Sequence, residues 1–293
     1  SIELKEKIQE SLTGRKRLFE MYPVSFEEFV NYKTNYKYED RLVQYLKIEK
    51  HKRNRFFTEY MNFGGYPRIV TESRQKEKHQ LMNEIFRSYV EKDIVYLLNI
   101  SRTEAFIKLV KILAEGTGHM INYSALAAKL NISIQTLKKY IWYLEKTFIV
   151  KLVRPFYRNY KKEITKSPQI YFNDLGMLNF AGGTFRFHNN MQNQGFLFQN
   201  FMYLIIRNRL SEQFDKINFW RTSDKAEVDF VIEKAGEIIP IEVKFKSLKK
   251  QTVERSLRSF IKKYNPQKAL VVNVDYESSF NIGKTEVEFL PYY

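Results

Sequence analysis

The sequence predicts a multidomain protein of mixed α+β and α/β class, with a helical first half and a small mixed sheet near the end. Three observations support this prediction. Apolar residues recur at helical spacing through residues 36–100. Residues 102–180 have a helix–turn–helix cadence followed by strand-like runs. Residues 195–293 have the order helix, three strands, helix, strand, which is typical of an α/β core.

The composition favours a polyanionic partner. The chain of 293 residues has 49 Lys and Arg against 33 Asp and Glu, which gives a formal net charge of +16. Such an excess favours DNA, with an anionic membrane surface and a merely basic, solubilising surface as alternatives. Because 44% of the residues are hydrophobic and 16% are aromatic, the chain is expected to fold around packed cores.

Residue types also exclude several kinds of site and location. The absence of cysteine excludes disulfides and thiolate zinc sites. The four histidines are far apart in the sequence, which disfavours a histidine metal site. No apolar run approaches the roughly 20 residues that span a bilayer, and the charged opening SIELKEKIQE is unlike a signal peptide. These features predict a cytoplasmic protein without a membrane partner, and they leave a homo-oligomer open.

Residues 102–185 have the element order of a winged-helix domain. Helices are expected at about 103–115, at Tyr123–Leu130 and from a capping Ser133 to about Lys146. The strand-like runs FIVKLVRPFY and SPQIYFND follow, joined by the basic loop RNYKKEITK. The expected inner face of the third helix consists of Ile134, Leu137, Ile141 and Leu144.

Basic side chains gather where a winged helix contacts DNA. The third helix of such a domain can enter the major groove while the hairpin touches the backbone. Lys138 and Lys139 lie on that helix. The candidate contacts on the hairpin and its loop are Arg154, Arg158, Lys161 and Lys162. The alternative is that this domain only bridges other protein domains.

The stretch Glu227–Lys244, EVDFVIEKAGEIIPIEVK, predicts an antiparallel hairpin. A two-residue turn at Ala235–Gly236 fixes the register and places Asp229 opposite Glu242. Strict alternation then gives an apolar face of Val228, Phe230, Ile232, Ile239, Ile241 and Val243. The opposite, polar face consists of Glu227, Asp229, Glu242 and Lys244.

The polar face has the residue types of a metal-dependent hydrolytic site. Asp229 and Glu242 offer two oxygen ligands to a hard cation such as Mg²⁺. Lys244 is then placed to orient a water or to stabilise a phosphorane-like charge. The alternative is structural, because any antiparallel pair with one buried and one wet face shows the same alternation.

The order helix, EVDF, IPIEVK, helix, strand resembles the core of the PD-(D/E)XK nucleases. The resemblance implies that residues 190–293 form such an α/β domain, with Asp229, Glu242 and Lys244 as catalytic residues and both carboxylates as Mg²⁺ ligands. The whole chain, including GRKRLFEMYPVSFEEFV and FGGYPRIV, is similar to the C-terminal part of prokaryotic AAA-type ATPases. Those proteins carry a winged helix and a PD-(D/E)XK-like domain, long filed as a domain of unknown function.

The same resemblance implies that residues 1–35 are the edge of an ATPase domain and that 36–101 form a helical linker domain. Two departures matter. The chain has no Gly–Lys–Ser/Thr phosphate loop, so ATP is expected only if an ATPase domain lies upstream in a longer protein. Gln199, in LFQN, stands where the family has a metal-binding Glu; an uncharged amide lowers metal affinity, and Glu227 is a candidate replacement.

Three functions follow from the sequence. The first is a DNA-associated C-terminal region of an AAA-type ATPase with a degenerate or weak nuclease-like domain. The second is an active Mg²⁺-dependent DNA endonuclease. The third is a non-enzymatic platform for protein interaction or regulation. Missing negative charge at Gln199 favours the first over the second.

Overall fold

The computed structural model describes residues 20–97, 99–157, 166–184, 191–211 and 213–293. Within them, a helical N-terminal region is followed by a mixed eight-stranded sheet, so the fold is α+β. None of the helices in these ranges combines the length and the apolar character that crossing a lipid bilayer requires.

Helices dominate the first half of the chain, as the apolar spacing predicts. The three helices expected between residues 103 and 146 are confirmed with almost the same bounds. In chain order the helical elements are α1 (Phe26–Lys33), a 3₁₀ turn (Glu39–Arg41), α2 (Leu42–Ile48), α3 (Lys50–Phe63), α4 (Pro67–Thr71), α5 (Gln75–Ile85), a π-helical segment (Phe86–Ile94), α6 (Val95–Leu97), α7 (Thr103–Glu115), α8 (Tyr123–Leu130), α9 (Ile134–Lys146), α10 (Leu175–Gly182), α11 (Met191–Asn208) and α12 (Arg255–Tyr264).

Side-chain caps determine where α1 and α9 begin. The Oγ of Ser25 accepts a hydrogen bond from the N–H of Glu28 at 3.2 Å, and the Glu28 carboxylate accepts one from the N–H of Ser25 at 2.8 Å. This reciprocal capping box contributes about 1 kcal/mol. Ser133 caps α9 in the same way, accepting from the N–H of Thr136 at 3.0 Å. The predicted start of α9 is therefore confirmed.

The inner face of α9 is predicted correctly except at its first residue. Leu137, Ile141 and Leu144 are buried, whereas Ile134 is 45% exposed. The placement of Ile134 on the inner face is therefore wrong. Helical periodicity fixes the direction of a side chain around the axis, but it does not reveal where along the axis the neighbouring elements end.

A glycine turn brings distant segments into close contact. Gly64 has φ +68°, which residues with a Cβ rarely adopt. A Cβ on Gly65 would lie 2.0 Å from the carbonyl oxygen of Val24. The N–H of Gly65 donates to the carboxylate of Asp174 at 2.7 Å, and the same carboxylate caps α10 by accepting from Met177 at 2.8 Å. The turn therefore fixes α3 against α10.

The strands are β1 (Val150–Pro155), β2 (Gln169–Phe172), β3 (Lys216–Arg221), β4 (Glu227–Lys234), β5 (Glu237–Val243), β6 (Lys268–Asn273), β7 (Ser278–Ile282) and β8 (Thr285–Pro291). They form one sheet with the order β2-β1-β3-β4-β5-β6-β8-β7. The pairs β1–β3, β5–β6 and β6–β8 are parallel, and the others are antiparallel. Helix α12 provides the crossover between the parallel strands β5 and β6.

The sheet is larger than predicted because the hairpin β1–β2 joins it. Arg154 and Pro155 of β1 pair in parallel with Asn218 and Phe219 of β3. At the far edge, β7 and β8 add two strands that the apolar pattern does not predict. The prediction of a small mixed sheet is therefore correct in type and wrong in extent. Pairing between strands about 60 residues apart depends on the tertiary fold, which local periodicity does not reveal.

A continuous aromatic core joins the helical region to the sheet. Phe57 of α3 packs against Phe201 of α11 and against Tyr292, with ring centroids 5.3 and 4.4 Å apart. Phe26 of α1 contacts Phe201 at 5.4 Å. A second cluster surrounds Phe260 of α12. The main core thus extends from the first helix to the end of the last strand.

We expect Gly65→Ala to lower the free energy of unfolding by about 2–4 kcal/mol, because the added Cβ meets a backbone oxygen that cannot move freely. Urea unfolding followed by circular dichroism measures this change.

The matched control is Gly195→Ala, in the exposed part of α11, where an added Cβ meets no atom within 4 Å. Alanine is the better helix former, so this variant should gain about 1 kcal/mol. Equal losses in the two variants would show that the contact with Val24 is not the cause.

Candidate functional site

The β4–β5 hairpin has the predicted turn and register. The turn residues Ala235–Gly236 have φ values of 51° and 83°, as a two-residue hairpin turn of type I′ requires. Lys234 pairs with Glu237, as predicted. Asp229 and Glu242 follow in the same register, one position beyond the last paired residues. The two carboxylates therefore lie at the open end of the hairpin.

A β-bulge in β4 changes which side chains face the main core. Between its pairings with Val228 and Val231, β3 advances two residues while β4 advances three. Val228 consequently packs with Val231 in the cluster around α12, whereas Phe230 packs in the main core. The predicted apolar face is therefore wrong at Val228, because an inserted residue breaks strict alternation. Asp229 lies within the bulge.

Asp229 is held from two sides. Its Oδ2 accepts a hydrogen bond from the backbone N–H of Val243 on β5 at 2.7 Å. Its Oδ1 accepts one from the Nε2 of Gln199 on α11 at 3.1 Å. The strand and the helix thus fix the orientation of the carboxylate.

Glu242 has one engaged and one open oxygen. The side chain is buried, and its Oε1 lies 2.7 Å from the Nζ of Lys244. Its buried Oε2 has no hydrogen-bond partner among the described residues. Lys244 also pairs with Glu254, just before α12, at 2.7 Å. A buried carboxylate oxygen without a donor is costly, and it is open to a ligand that brings positive charge.

The site has an unusual affinity for protons. Burial, and then the nearby charge of Glu242, raises the pKa of Asp229 to about 8. Burial also raises the pKa of Glu242, although Lys244 opposes this change. Burial disfavours the charged form of Lys244, but Glu242 and Glu254 outweigh it and raise its pKa. Without a cation, the pair therefore carries less negative charge near neutral pH than two exposed carboxylates would.

Gln199 acts as a hydrogen-bond donor in this arrangement. Besides Asp229, its Nε2 reaches the hydroxyl of Tyr171 on β2 at 3.0 Å. That hydroxyl donates to the Oε1 of Gln169 at 3.0 Å, and the Nε2 of Gln169 donates to Glu227 at 2.7 Å. We call this series from Asp229 to Glu227 the polar chain. It connects the candidate site to both α11 and β2.

Glu227, the candidate replacement for a carboxylate at Gln199, is already engaged. Its Oε1 accepts from Gln169, and its Oε2 lies 2.7 Å from the Nη1 of Arg221. Among the residues that the structure describes, no three His, Cys, Asp or Glu side chains converge as a metal site. The acidic part of the candidate site is therefore the pair Asp229 and Glu242.

The basic residues predicted to contact nucleic acid lie beside the start of the sheet. Lys138 and Lys139 are exposed on α9, and Arg154 is exposed on β1. The Nζ of Lys138 lies 5.6 Å from the ring centroid of Tyr123. Burial raises the pKa of Tyr123 and nearby Arg154 opposes it, so Lys138 and Arg154 share one neighbour. The other predicted contacts, Arg158, Lys161 and Lys162, lie outside the described residues.

Sequence reasoning missed the residues that support the carboxylates from β2. Gln169 and Tyr171 are 1% and 0% exposed, although both carry polar groups. A signal was present, since the two alternate within the otherwise apolar run QIYF. Polar groups at alternate positions of a buried strand need buried partners, but the pattern does not say which ones.

We expect Asp229→Asn to remove a pH dependence of stability. The pKa of Asp229 is raised in the folded state, so the folded protein holds more protons than the unfolded chain between about pH 4 and pH 8. The free energy of unfolding of the parent should therefore fall as the pH rises through this window. The variant should show a shallower fall in urea titrations at several pH values.

Asp224→Asn, at an exposed position of the β3–β4 loop, is the control for loss of one acidic group. Asp174, whose pKa burial raises to about 6, contributes to the pH dependence of all three proteins and cancels in the comparison. If the free energy of unfolding fell equally steeply with pH in the parent and in Asp229→Asn, burial would not raise the pKa of Asp229 as proposed.

Two family models match separate parts of the chain. Residues 54–187 match a domain of unknown function, DUF8612, and residues 194–293 match another, DUF4143. The first match covers most of the helices and the hairpin β1–β2. The second covers β3 to β8 with α12, and therefore contains both carboxylates of the candidate site.

Uncharacterised prokaryotic proteins are similar to the chain as a whole. A protein of Haemophilus influenzae is 26% identical over 275 residues, which cover 92% of this chain and 62% of the relative. A protein of Methanocaldococcus jannaschii is 26% identical over 234 residues, covering 78% of this chain and 50% of the relative. A protein of Mycobacterium tuberculosis is 24% identical over 203 residues, covering 67% and 44%.

The chain thus spans about half the length of the curated relatives it matches. Its last 100 residues match DUF4143, a family usually found in the C-terminal region of AAA-ATPase-like proteins.

Proposed function

We propose that this chain is the DNA-associated region of a longer AAA-ATPase-like protein, with a winged helix and a weak PD-(D/E)XK-like domain. The observation that carries DNA association is the exposed lysine face of α9, next to Arg154 on β1. The series α7, α8, α9 and hairpin β1–β2 has the order of a winged helix. An isolated antiparallel bridge between Met120 and Gln169 supplies the short strand usual before its second helix.

The C-terminal elements support the nuclease-like part of the proposal. Helix α11, strands β3 to β5, crossover helix α12 and strand β6 follow one another in the order of that nuclease core. Asp229 lies on β4, and Glu242 and Lys244 are at and just beyond the end of β5, as the resemblance requires. ATP belongs to this proposal only through an ATPase domain elsewhere in the longer protein.

The residues present fit a divalent cation. Mg²⁺ commonly binds one or two protein carboxylates and completes its coordination with waters and substrate phosphates. The open Oε2 of Glu242 and the adjacent carboxylate of Asp229 are the groups that would hold it. A cation bound there would polarise a phosphate and acidify a water. Lys244, kept charged by Glu242 and Glu254, would neutralise phosphate charge beside them.

The same contacts limit the activity. Gln199 brings no charge and donates its amide hydrogen to Asp229, so it competes with a cation for that oxygen. Glu242 and Glu254 also engage two of the three N–H donors of Lys244 and neutralise its charge, so its attraction for a substrate phosphate is weakened. A weak or degenerate site follows. An active Mg²⁺-dependent endonuclease is the second candidate, favoured by the open Oε2 of Glu242.

We expect the double variant Lys138→Glu, Lys139→Glu to bind DNA at least about tenfold more weakly at low salt. Each lost phosphate contact should also reduce the slope of log affinity against log salt by about 0.7–0.9. Fluorescence anisotropy of labelled DNA over a salt series measures both quantities.

Lys50→Glu with Lys76→Glu is the matched control, since both lysines are exposed on other helices and the change in net charge is the same. Equal losses of DNA affinity in the two double variants would indicate only a general effect of net charge. Absent or salt-insensitive binding by the parent protein would overturn the proposed DNA association.

We expect Mn²⁺ or Mg²⁺ to raise the unfolding temperature more at pH 8 than at pH 5.5, because a cation displaces the proton held by the carboxylate pair. Asp229→Ala should abolish this stabilisation. Gln199→Glu should enlarge it, because a third carboxylate strengthens the site, while lowering the stability of the metal-free protein. Differential scanning fluorimetry measures all three effects.

Plasmid nicking separates the two candidate functions. Metal-dependent cleavage by the parent that is lost in both Asp229→Ala and Lys244→Ala would establish the active endonuclease. A cation that raises the unfolding temperature without plasmid cleavage would support the weak nuclease-like site. If the metal ion stabilises Asp229→Ala as much as the parent, it binds elsewhere, which would contradict both candidate functions.

A further inference from the structure

The outward face of α9 presents an exposed tryptophan between lysines. Trp142 is 42% exposed, and it lies four residues after Lys138 and four before Lys146, which puts all three on one side of the helix. The chain has two tryptophans, and the other, Trp220, is 3% exposed in the cluster around α12. Exposure of Trp142 is therefore not a consequence of a loosely packed fold.

Each lysine of this face lies beside an aromatic ring. Trp142 and Tyr143 also contact each other, with ring centroids 5.4 Å apart and planes inclined by 54°. The Nζ-to-centroid distances are 5.6 Å for Lys138 and Tyr123, 5.6 Å for Lys139 and Tyr143, and 5.8 Å for Lys146 and Trp142. We call these six residues the α9 face.

The α9 face is basic, and the single acidic residue of α9 itself points away from it. Glu145, the acidic residue of α9, is half-buried and accepts a hydrogen bond from the backbone N–H of Leu152 at 3.3 Å. Its charge is thus directed towards β1. A surface of aromatic rings and lysines has the chemistry of a stacking platform flanked by phosphate contacts.

We propose that the α9 face binds single-stranded DNA, with a base stacked on Trp142 and phosphates contacted by Lys138, Lys139 and Lys146. This inference rests on the proposed DNA association and specifies its substrate. Bases within a duplex are already stacked on each other, so an indole on a helix surface has no free base plane to meet. Reading a major groove instead uses hydrogen-bonding side chains such as Arg, Lys, Asn and Gln. Besides its lysines, α9 offers Gln135 of these types, so the exposed ring of Trp142 is the feature that a duplex would leave unused.

A protein partner would use the same tryptophan differently. Exposed Trp residues are also anchors of protein interfaces, but lysine is depleted from the centres of such interfaces. Lys146 lies over Trp142 itself, and Lys138 and Lys139 lie over the neighbouring rings of Tyr123 and Tyr143. The charge therefore favours a polyanion with exposed rings over an apolar protein surface.

Intrinsic fluorescence gives a direct test, because Trp142 is the exposed one of two tryptophans. Titration with a 20-base oligothymidylate should quench the emission saturably, whereas the matching duplex should bind more weakly. Anisotropy with labelled oligothymidylate should show about tenfold weaker binding for Trp142→Leu and near-parent binding for Trp142→Phe, which retains a ring. Circular dichroism confirms that the variants fold, as expected for an exposed position.

Each outcome separates this inference from the function on which it rests. Preference for duplex, or equal binding by Trp142→Leu and the parent, would overturn stacking and leave DNA association intact. Failure of the parent to bind either form of DNA would overturn the proposed function itself. Self-association in sedimentation experiments that Trp142→Leu abolishes would assign the α9 face to contact between copies, and would also overturn the inference.

Discussion

The structure around the candidate site depends on the requirement that a carboxylate withdrawn from water must find hydrogen-bond donors. Asp229 meets it with the N–H of Val243 and the amide of Gln199. Gln199 in turn is fixed by Tyr171, which contacts Gln169. Because an unpaired buried acceptor costs about 1–3 kcal/mol, each member of the polar chain restrains the next. The polar chain thereby holds α11, β2 and β4 in a single arrangement.

The same desolvation sets up a competition between proton and cation. Asp229 is half-buried and Glu242 is buried, so their charged carboxylates repel each other in a medium of lower effective dielectric constant than water. A proton on the pair removes part of that repulsion, and a divalent cation would remove more. With Gln199 in place of a carboxylate, the metal-free protein has one fewer charge to neutralise. Stability without metal would therefore be gained at the expense of metal affinity, in line with the weak site proposed above.

Local chemistry allowed the start of α9 and the hairpin to be predicted from the sequence. Ser133 caps α9 whatever the rest of the fold does, and Ala235–Gly236 fixes a register over a few residues. The bulge at Asp229 and the pairing of β1 with β3 could not be predicted in this way. Both result from contacts between distant segments, and a bulge of one residue leaves no compositional trace.

The candidate carboxylates were identified from residue type and spacing, but their environment was not. Sequence reasoning treated Gln199 as a poor ligand, whereas in the structure it supports Asp229 from α11. The difference arises because an amide contributes both a donor and an acceptor, and only the fold decides which one faces the neighbour. Residue identity therefore locates a site more reliably than it assigns roles within it.

Paired strands of the sheet, from β1 through β3 to β4, connect the two proposed binding regions. Arg154, beside the α9 face, pairs with Asn218 of β3, and β3 pairs with β4, which carries Asp229. Coupling between two sites requires an element with two alternative arrangements that both ligands influence. A packed sheet restrained by the polar chain provides a fixed distance between the sites. If DNA binds on the α9 face, such a sheet gives it no second arrangement through which to act on the carboxylates, so its binding should leave the cation affinity of the pair unchanged.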